Sequence, residues 1–142
     1  MPMAERLLGR CVMGSLTLEN VMTPQPLTIG RDQKLITAHK MMVDNGIRHL
    51  PVLDRGELVG VLSQRDLYFV ETIAGVDKLK DRVEEAMSSD ARAFAPTAPL
   101  RDVAAEMFEH KLGCAVVVER DRVVGIFTAT DALRILATRT KA

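Results

Sequence analysis

The sequence predicts an α/β fold built from two copies of a strand-helix-strand-strand-helix unit, and three observations carry that prediction. The segment Val59-Gly60-Val61-Leu62-Ser63-Gln64-Arg65-Asp66 returns as Val124-Gly125-Ile126-Phe127-Thr128-Ala129-Thr130-Asp131. The offset is constant, since 125 − 60 and 131 − 66 both give 65, and it also superimposes Met22 on Met87, Leu35 on Leu100, Met42 on Met107 and Val52 on Val117 without a gap. Within each copy, short β-prone runs alternate with segments of helical spacing. Each copy also holds two β-rich segments around a turn signal, the pattern of a hairpin. Repeats of this length close a core poorly alone, so the two are expected to behave as one compact unit.

In the first copy, Leu27-Thr28-Ile29 reads as a short strand and Asp32 as an N-cap. Leu35, Ala38, Met41, Met42 and Val43 then recur at helical spacing until Asn45-Gly46 stops the helix. His49–Leu53 and Leu58–Leu62 flank the turn Asp54-Arg55-Gly56-Glu57. A second helix follows over Asp66–Ile73, capped by Ser63 and ended by Gly75. The second copy repeats the order. Ala93-Phe94 is its strand, Thr97 takes the capping place of Asp32, and Pro99 falls in the first helical turn, where its missing N–H is harmless. That helix is expected to carry Leu100, Val103, Ala104, Met107 and Phe108 inward. Ala115–Val118 and Val123–Phe127 form a hairpin around Arg120-Asp121, and Thr128 caps a last helix running toward Leu136. Between the copies, Asp77–Glu85 carries both signs of charge and reads as a solvated connector.

Composition sets the outer limits. A chain of 142 residues with 47% hydrophobic content suits one compact domain. Lysine plus arginine and aspartate plus glutamate stand at 19 each, so no global field favours nucleic acid or an anionic membrane. Tryptophan is absent, which removes stacking platforms for single strands. Cys11 and Cys114 lack metal or redox spacing and are expected to be free thiols in a reducing cytosol. Arg6 and Arg10 interrupt the apolar residues of Met1–Gly14, unlike a signal peptide, and no stretch approaches a membrane-spanning length. A cytoplasmic protein is the expectation.

Paired β-α-β-β-α repeats, each ending hydrophobic-Gly-hydrophobic-hydrophobic-Ser/Thr-x-x-Asp, with Gly46-Ile47-Arg48-His49-Leu50-Pro51-Val52 ahead of the first, resemble a tandem pair of CBS domains, also called a Bateman module. The resemblance spans about Leu18 to Leu136. One Ser/Thr-x-x-Asp is a weak motif, but two at equal offset in matching contexts are a strong one. The resemblance implies an N-terminal extension over 1–16, a first repeat over 17–75, a linker over 76–81 and a second repeat over 82–142. It implies repeats packed through their sheets with pseudo-twofold symmetry, and usually a homodimer formed through helices. It further implies a regulatory module, without catalysis or a prosthetic group, that senses AMP, ADP or ATP in clefts between its repeats, with S-adenosylmethionine or NAD as alternatives and an unidentified regulated protein as partner.

The residue chemistry agrees. A carboxylate can accept both hydroxyls of a ribose, which nominates Asp66 and Asp131. Ser63 and Thr128 stand at helix N-termini, where hydroxyl, backbone N–H groups and dipole favour a phosphate. Gly60 and Gly125 leave strand positions open to a close neighbour, either backbone or ligand. Carried over from the family, one cleft would combine Arg48, His49, Ser63, Arg65 and Asp66 with Ala91, Ala93 and Leu112. The other would combine Thr128, Thr130 and Asp131 with Pro24, Pro26, Thr28 and Ile47, where Gly113 and Cys114 replace Arg48 and His49. The first cleft has cations for phosphate; the second is expected to have hydroxyls and no cation. Read without the repeat, Ser63 with Asp66 and Thr128 with Asp131 are simply helix caps with first-turn acids. A ligand-free dimerisation or partner-docking module is therefore the competing function. An enzyme is disfavoured, because no nucleophilic triad, phosphate-binding GxxxxGK[ST] or metal spacing among His39, His49 and His110 occurs.

Overall fold

A computed structural model describes residues 16–139. Cys11 and the expected N-terminal extension up to residue 15 lie outside them. The elements run α1 (Leu18–Val21), β1 (Thr23–Pro24), β2 (Ile29–Gly30), α2 (Leu35–Asn45), β3 (His49–Asp54), β4 (Glu57–Ser63), α3 (Gln64–Glu71), a 3-10 turn (Val83–Glu85), β5 (Ala93–Phe94), α4 (Leu100–His110), β6 (Cys114–Glu119), β7 (Arg122–Thr128) and α5 (Ala129–Arg139). Two mixed sheets result, ordered β2-β3-β4 and β1-β7-β6-β5. In both, the short first strand of the repeat pairs parallel with the next one, Ile29 opposite Val52 and Ala93 opposite Val116. Both hairpins turn on two residues of positive φ, Arg55-Gly56 (52° and 83°) and Arg120-Asp121 (53° and 63°), as tight right-twisting hairpins require.

The chain divides into two compact units, one made of Pro26–Ala91 with Arg120–Val123, the other of the segments up to Gln25, Arg92–Glu119 and from Val124 on. Each has its own apolar core. Leu35, Ala38, Met42, Leu50, Val52, Leu62, Leu67 and Val83 build the first. Leu18, Leu100, Val103, Met107, Ala115, Val117 and Phe127 build the second. The physical reason is an exchange of segments. Leu18 opens the first repeat yet is fully buried in the core built mainly by the second, while Val83, its counterpart at 18 + 65, opens the second repeat and is fully buried in the core built mainly by the first.

The exchange also settles how the helices start. Lys34 is the N-cap of α2 and makes no side-chain cap bond, so Asp32 does not cap it. The Leu35 and Ile36 N–H groups instead donate to the Asp81 and Lys78 carbonyls at 2.9 and 3.0 Å. In α4, Pro99 sits at the N-cap rather than inside the first turn, Thr97 is no cap, and the Leu100 N–H donates to the Leu16 carbonyl at 2.9 Å. Main chain from a distant segment thus satisfies donors that a side chain was expected to satisfy. The charged connector is correspondingly not a solvated strap throughout, because Val83 anchors it.

Three further expectations shift. Val43, Ala104 and Phe108 face outward rather than into the core, Phe108 at 84% exposure, because Leu35/Ala38/Met42 and Leu100/Val103/Met107 already fill the narrow apolar stripe. Helix α3 ends at Glu71 with Thr72 as its C-cap, and Gly75 turns the chain beyond it at φ 91°. The short strand before α2 is Ile29–Gly30, which starts two residues later and ends one later than the expected Leu27-Thr28-Ile29. Gly46 does end α2, in the left-handed conformation at φ 61°.

Candidate functional site

Two equivalent constructions sit where a hairpin's second strand passes into a helix. In the first, Ser63 ends β4 in extended conformation and caps α3: its Oγ accepts the Asp66 N–H at 3.0 Å, while Asp66 Oδ2 accepts the Ser63 N–H at 2.9 Å. This reciprocal box fixes the carboxylate at the positive end of the helix. The Gln64 N–H donates to the Arg48 carbonyl at 2.8 Å, and His49 stands opposite Ser63 in the strand register. Arg48 and His49 are thereby held at the same strand ends as the box, with Arg65 on its first turn.

The electrostatics register that grouping. Burial holds the His49 imidazole below its ordinary pKa; the neighbouring charges of Arg48 and Arg65 push the same way, and Asp66 opposes them. Arg48 and Arg65 are themselves exposed. The first unit therefore presents two solvated guanidiniums, a half-buried imidazole and a half-buried carboxylate around one helix start. The structure places Arg48, His49, Ser63, Arg65 and Asp66 next to one another at these strand ends and the start of α3.

The second construction matches atom for atom in its backbone logic. Thr128 Oγ1 accepts the Asp131 N–H at 3.1 Å, Asp131 Oδ2 accepts the Thr128 N–H at 2.9 Å, and the Ala129 N–H donates to the Gly113 carbonyl at 3.0 Å. Its side chains differ. Cys114 replaces the imidazole, and burial pushes its thiol up to about 12, so it stays neutral at physiological pH. Asp131 is buried to 8% exposure and is ion-paired: Arg134 Nη2 lies 3.1 Å from Oδ1. A cation is present after all, one helical turn further on, where no motif position pointed to it. The i, i+3 spacing was the signal available for it.

The remaining expected residues divide by unit. Pro24 pairs with Gly125 on β7, in the same unit as Thr128, Thr130 and Asp131, as are Ala93 and Leu112. Pro26, Thr28, Ile47 and Ala91 belong to the unit of Asp66. Arg92, between Ala91 and Ala93, pairs with Glu106 at 2.9 Å and has a buried Nε without a partner. Gly60 and Gly125 are approached by protein rather than left open: Met87 and the Ser88 carbonyl crowd Gly60, and Met22 crowds Gly125. The broad groove of about 810 Å³ in the first unit contains Thr28, Asp54 and Arg55 but neither Ser63 nor Asp66. Arg31 braces its wall through Glu84 at 2.7 Å and Asp54 at 3.3 Å. Among the described residues, no cluster of three or more His, Cys, Asp or Glu side chains could hold a metal ion, and no helix is long and apolar enough to cross a membrane.

Comparison with known proteins returns the CBS domain model twice, over residues 18–71 and 83–138. The CBS domain-containing protein YhcV of Bacillus subtilis is 28% identical over 115 residues, 81% of each chain. Other curated relatives, enzymes among them, are longer, and the chain spans only 23%, 43% and 24% of three of them. The solved CBS domain pair of MJ0100, in complex with 5′-methylthioadenosine and S-adenosyl-L-methionine, superimposes at TM-score 0.75 with 25% identity, over 86% of this chain and 96% of that one. CBSX2 in complex with AMP does so at TM-score 0.76 with 26% identity, over 88% and 99%.

Proposed function

The chain belongs to the CBS domain family, and from that premise we propose that it is a regulatory module that senses an adenosyl ligand, with AMP, ADP or ATP as the preferred class. The observation that carries this is the Ser63–Asp66 box beside Arg48, His49 and Arg65. A carboxylate immobilised at a helix start suits a ribose diol, and charge-assisted hydrogen bonds to it are worth about 1.5–3 kcal/mol each. Two guanidiniums and an imidazole at the same place suit phosphate. MJ0100 and CBSX2 carry adenosyl compounds in the same fold, which supports the class. S-adenosylmethionine and NAD share the ribose and are the alternatives. The role is binding, with regulation of a separate, unidentified protein, rather than catalysis.

The Asp66 set is the better equipped for a nucleotide phosphate. Gly113, Cys114 and Thr130 offer the Asp131 set no equivalent of Arg48, His49 and Arg65. Arg134, the cation beside Asp131, is already paired with that carboxylate, so phosphate charge is less well compensated there and a less anionic adenosyl ligand is relatively favoured.

One observation favours a second reading. Both boxes satisfy their hydrogen bonds without any ligand, which suits a purely structural or partner-docking pair. Isothermal titration of the protein with AMP, ATP, S-adenosylmethionine and NAD decides between the two. Saturable heat with at least one supports the sensor; none with any, at ligand concentrations up to millimolar, leaves the docking module.

A further inference from the structure

The two boxes are alike in backbone and unlike at the carboxylate's second oxygen. Asp131 Oδ1 is held by Arg134 Nη2 at 3.1 Å, whereas the position equivalent to Arg134, 134 − 65, is Phe69, and Asp66 makes no ion pair among the described residues. The Arg134 side chain is 62% exposed and the Asp131 side chain 11%, so a solvated guanidinium engages Oδ1 of a largely buried carboxylate. A diol that takes Asp131 Oδ1 competes with this guanidinium. Phe69 has no polar side-chain atom, so it places no donor against Asp66.

We propose that Arg134 is a specificity-determining residue of the Asp131 box, an ionic latch that a ribose diol must displace before it can bind there. This rests on the reading of Asp66 and Asp131 as ribose acceptors. The latch makes the Asp131 box the weaker of the two even for an uncharged nucleoside, so phosphate charge is not the only source of asymmetry. The arginine side of the pair is solvated, so occupancy of that box depends on ionic strength, though less than for a pair exposed on both sides, as the screening length shrinks from about 10 Å at 0.1 M salt to about 3 Å at 1 M. With its arginine 62% exposed, the pair is sized near solvent-exposed ones, about 0.2–1 kcal/mol, or roughly 1.4- to 5-fold in affinity.

The test is calorimetric titration with adenosine, which carries the diol and no phosphate. In an Asp66→Ala background, where only the Asp131 box can take a diol, Arg134→Ala should tighten adenosine binding by roughly 2- to 5-fold, with the gain shrinking as salt is raised from 0.05 to 1 M. In an Asp131→Ala background, Phe69→Arg should install the latch and weaken adenosine binding by a similar factor. Arg134→Lys, which keeps the charge on a different geometry, should fall between. Circular dichroism melts confirm that each variant folds, and both exchanged positions are exposed. Weaker or unchanged binding after Arg134→Ala overturns the proposal, and so does an Asp66 box indifferent to Phe69→Arg. If Asp66→Ala with Asp131→Ala binds adenosine as the parent does, it is the ribose reading that fails, a result distinct from failure of the latch.

Discussion

Met87 lies directly over Gly60: a Cβ at residue 60 would come within 2.9 Å of Met87 Sδ and 2.6 Å of the Ser88 carbonyl oxygen. Met22 lies over Gly125 in the same way, and Met22 and Met87, like Gly60 and Gly125, are related by the repeat offset of 65. The two contacts differ in one respect. Backbone is among the atoms blocking residue 60, whereas only the flexible Met22 side chain blocks residue 125.

Gly60→Ala should therefore destabilise its unit by about 1–3 kcal/mol, the usual cost of overpacking, and adding Met87→Ala should not rescue it because the Ser88 carbonyl remains. Gly125→Ala should cost less, and Met22→Ala should recover part of that loss. Urea denaturation of the four variants checks the order; equal costs at both glycines would refute it.

Leu18→Ala should cost about 2–5 kcal/mol, as for a fully buried leucine, and the damage should appear far along the chain. Amide exchange should accelerate in α4 and β6, not in β3 and β4. Val83→Ala should do the reverse, with a smaller cost because fewer methyl groups are lost. Hydrogen exchange read by mass spectrometry distinguishes this from damage near the mutated residue's own repeat.

Asp66→Ala removes an acceptor from the α3 box as well as the proposed ribose contact. Stability should fall by about 0.5–2 kcal/mol, and AMP binding should weaken by roughly ten- to a hundredfold. Titration of the folded variant with undiminished affinity would remove Asp66 from the site.

The depressed pKa of His49 has a definite sign in stability. The unfolded chain takes up a proton near pH 6.5 while the folded imidazole resists it, so folded-state stability is complete above about pH 6.5 and declines as pH falls toward the lower folded pKa. His49→Gln should flatten that decline. Melting curves from pH 5 to 8 that fall equally in both proteins would show that burial of this imidazole is not responsible.

The outward apolar residues occur at equivalent positions, Val43 with Phe108 and Tyr68 with Leu133, all more than half exposed. Such a repeated face fits self-association through the helices. Light scattering at micromolar concentration should give a dimer mass, and Val43→Glu with Phe108→Glu should give a monomer. A monomeric parent protein rules this out.

The amino-acid sequence by itself determined the duplication, both hairpins, the Gly46 stop and the two Ser/Thr-x-x-Asp boxes. Each depends on residues close in the chain: a two-residue turn, a C-terminal glycine, a cap and an acid three residues later. The family resemblance grouped Arg48 and His49 with Ser63 and Asp66, and the hairpin register, His49 opposite Ser63, supplies the physical reason they are neighbours. What only the tertiary structure decided involves partners distant in sequence. The start of α2 is satisfied by Asp81 and Lys78 carbonyls, and that of α4 by Leu16, where local chemistry pointed to Asp32 and Thr97. Leu18 and Val83 complete cores outside their own repeats, because a short repeat lacks enough apolar surface to close one and takes it from a segment beyond its boundaries. Whether Val43 and Phe108 faced in or out depended on how much of each helix its sheet could cover. The Arg134 latch lay at a legible i, i+3 spacing, but its meaning required seeing Asp131 buried beneath it and Phe69 standing in the other copy.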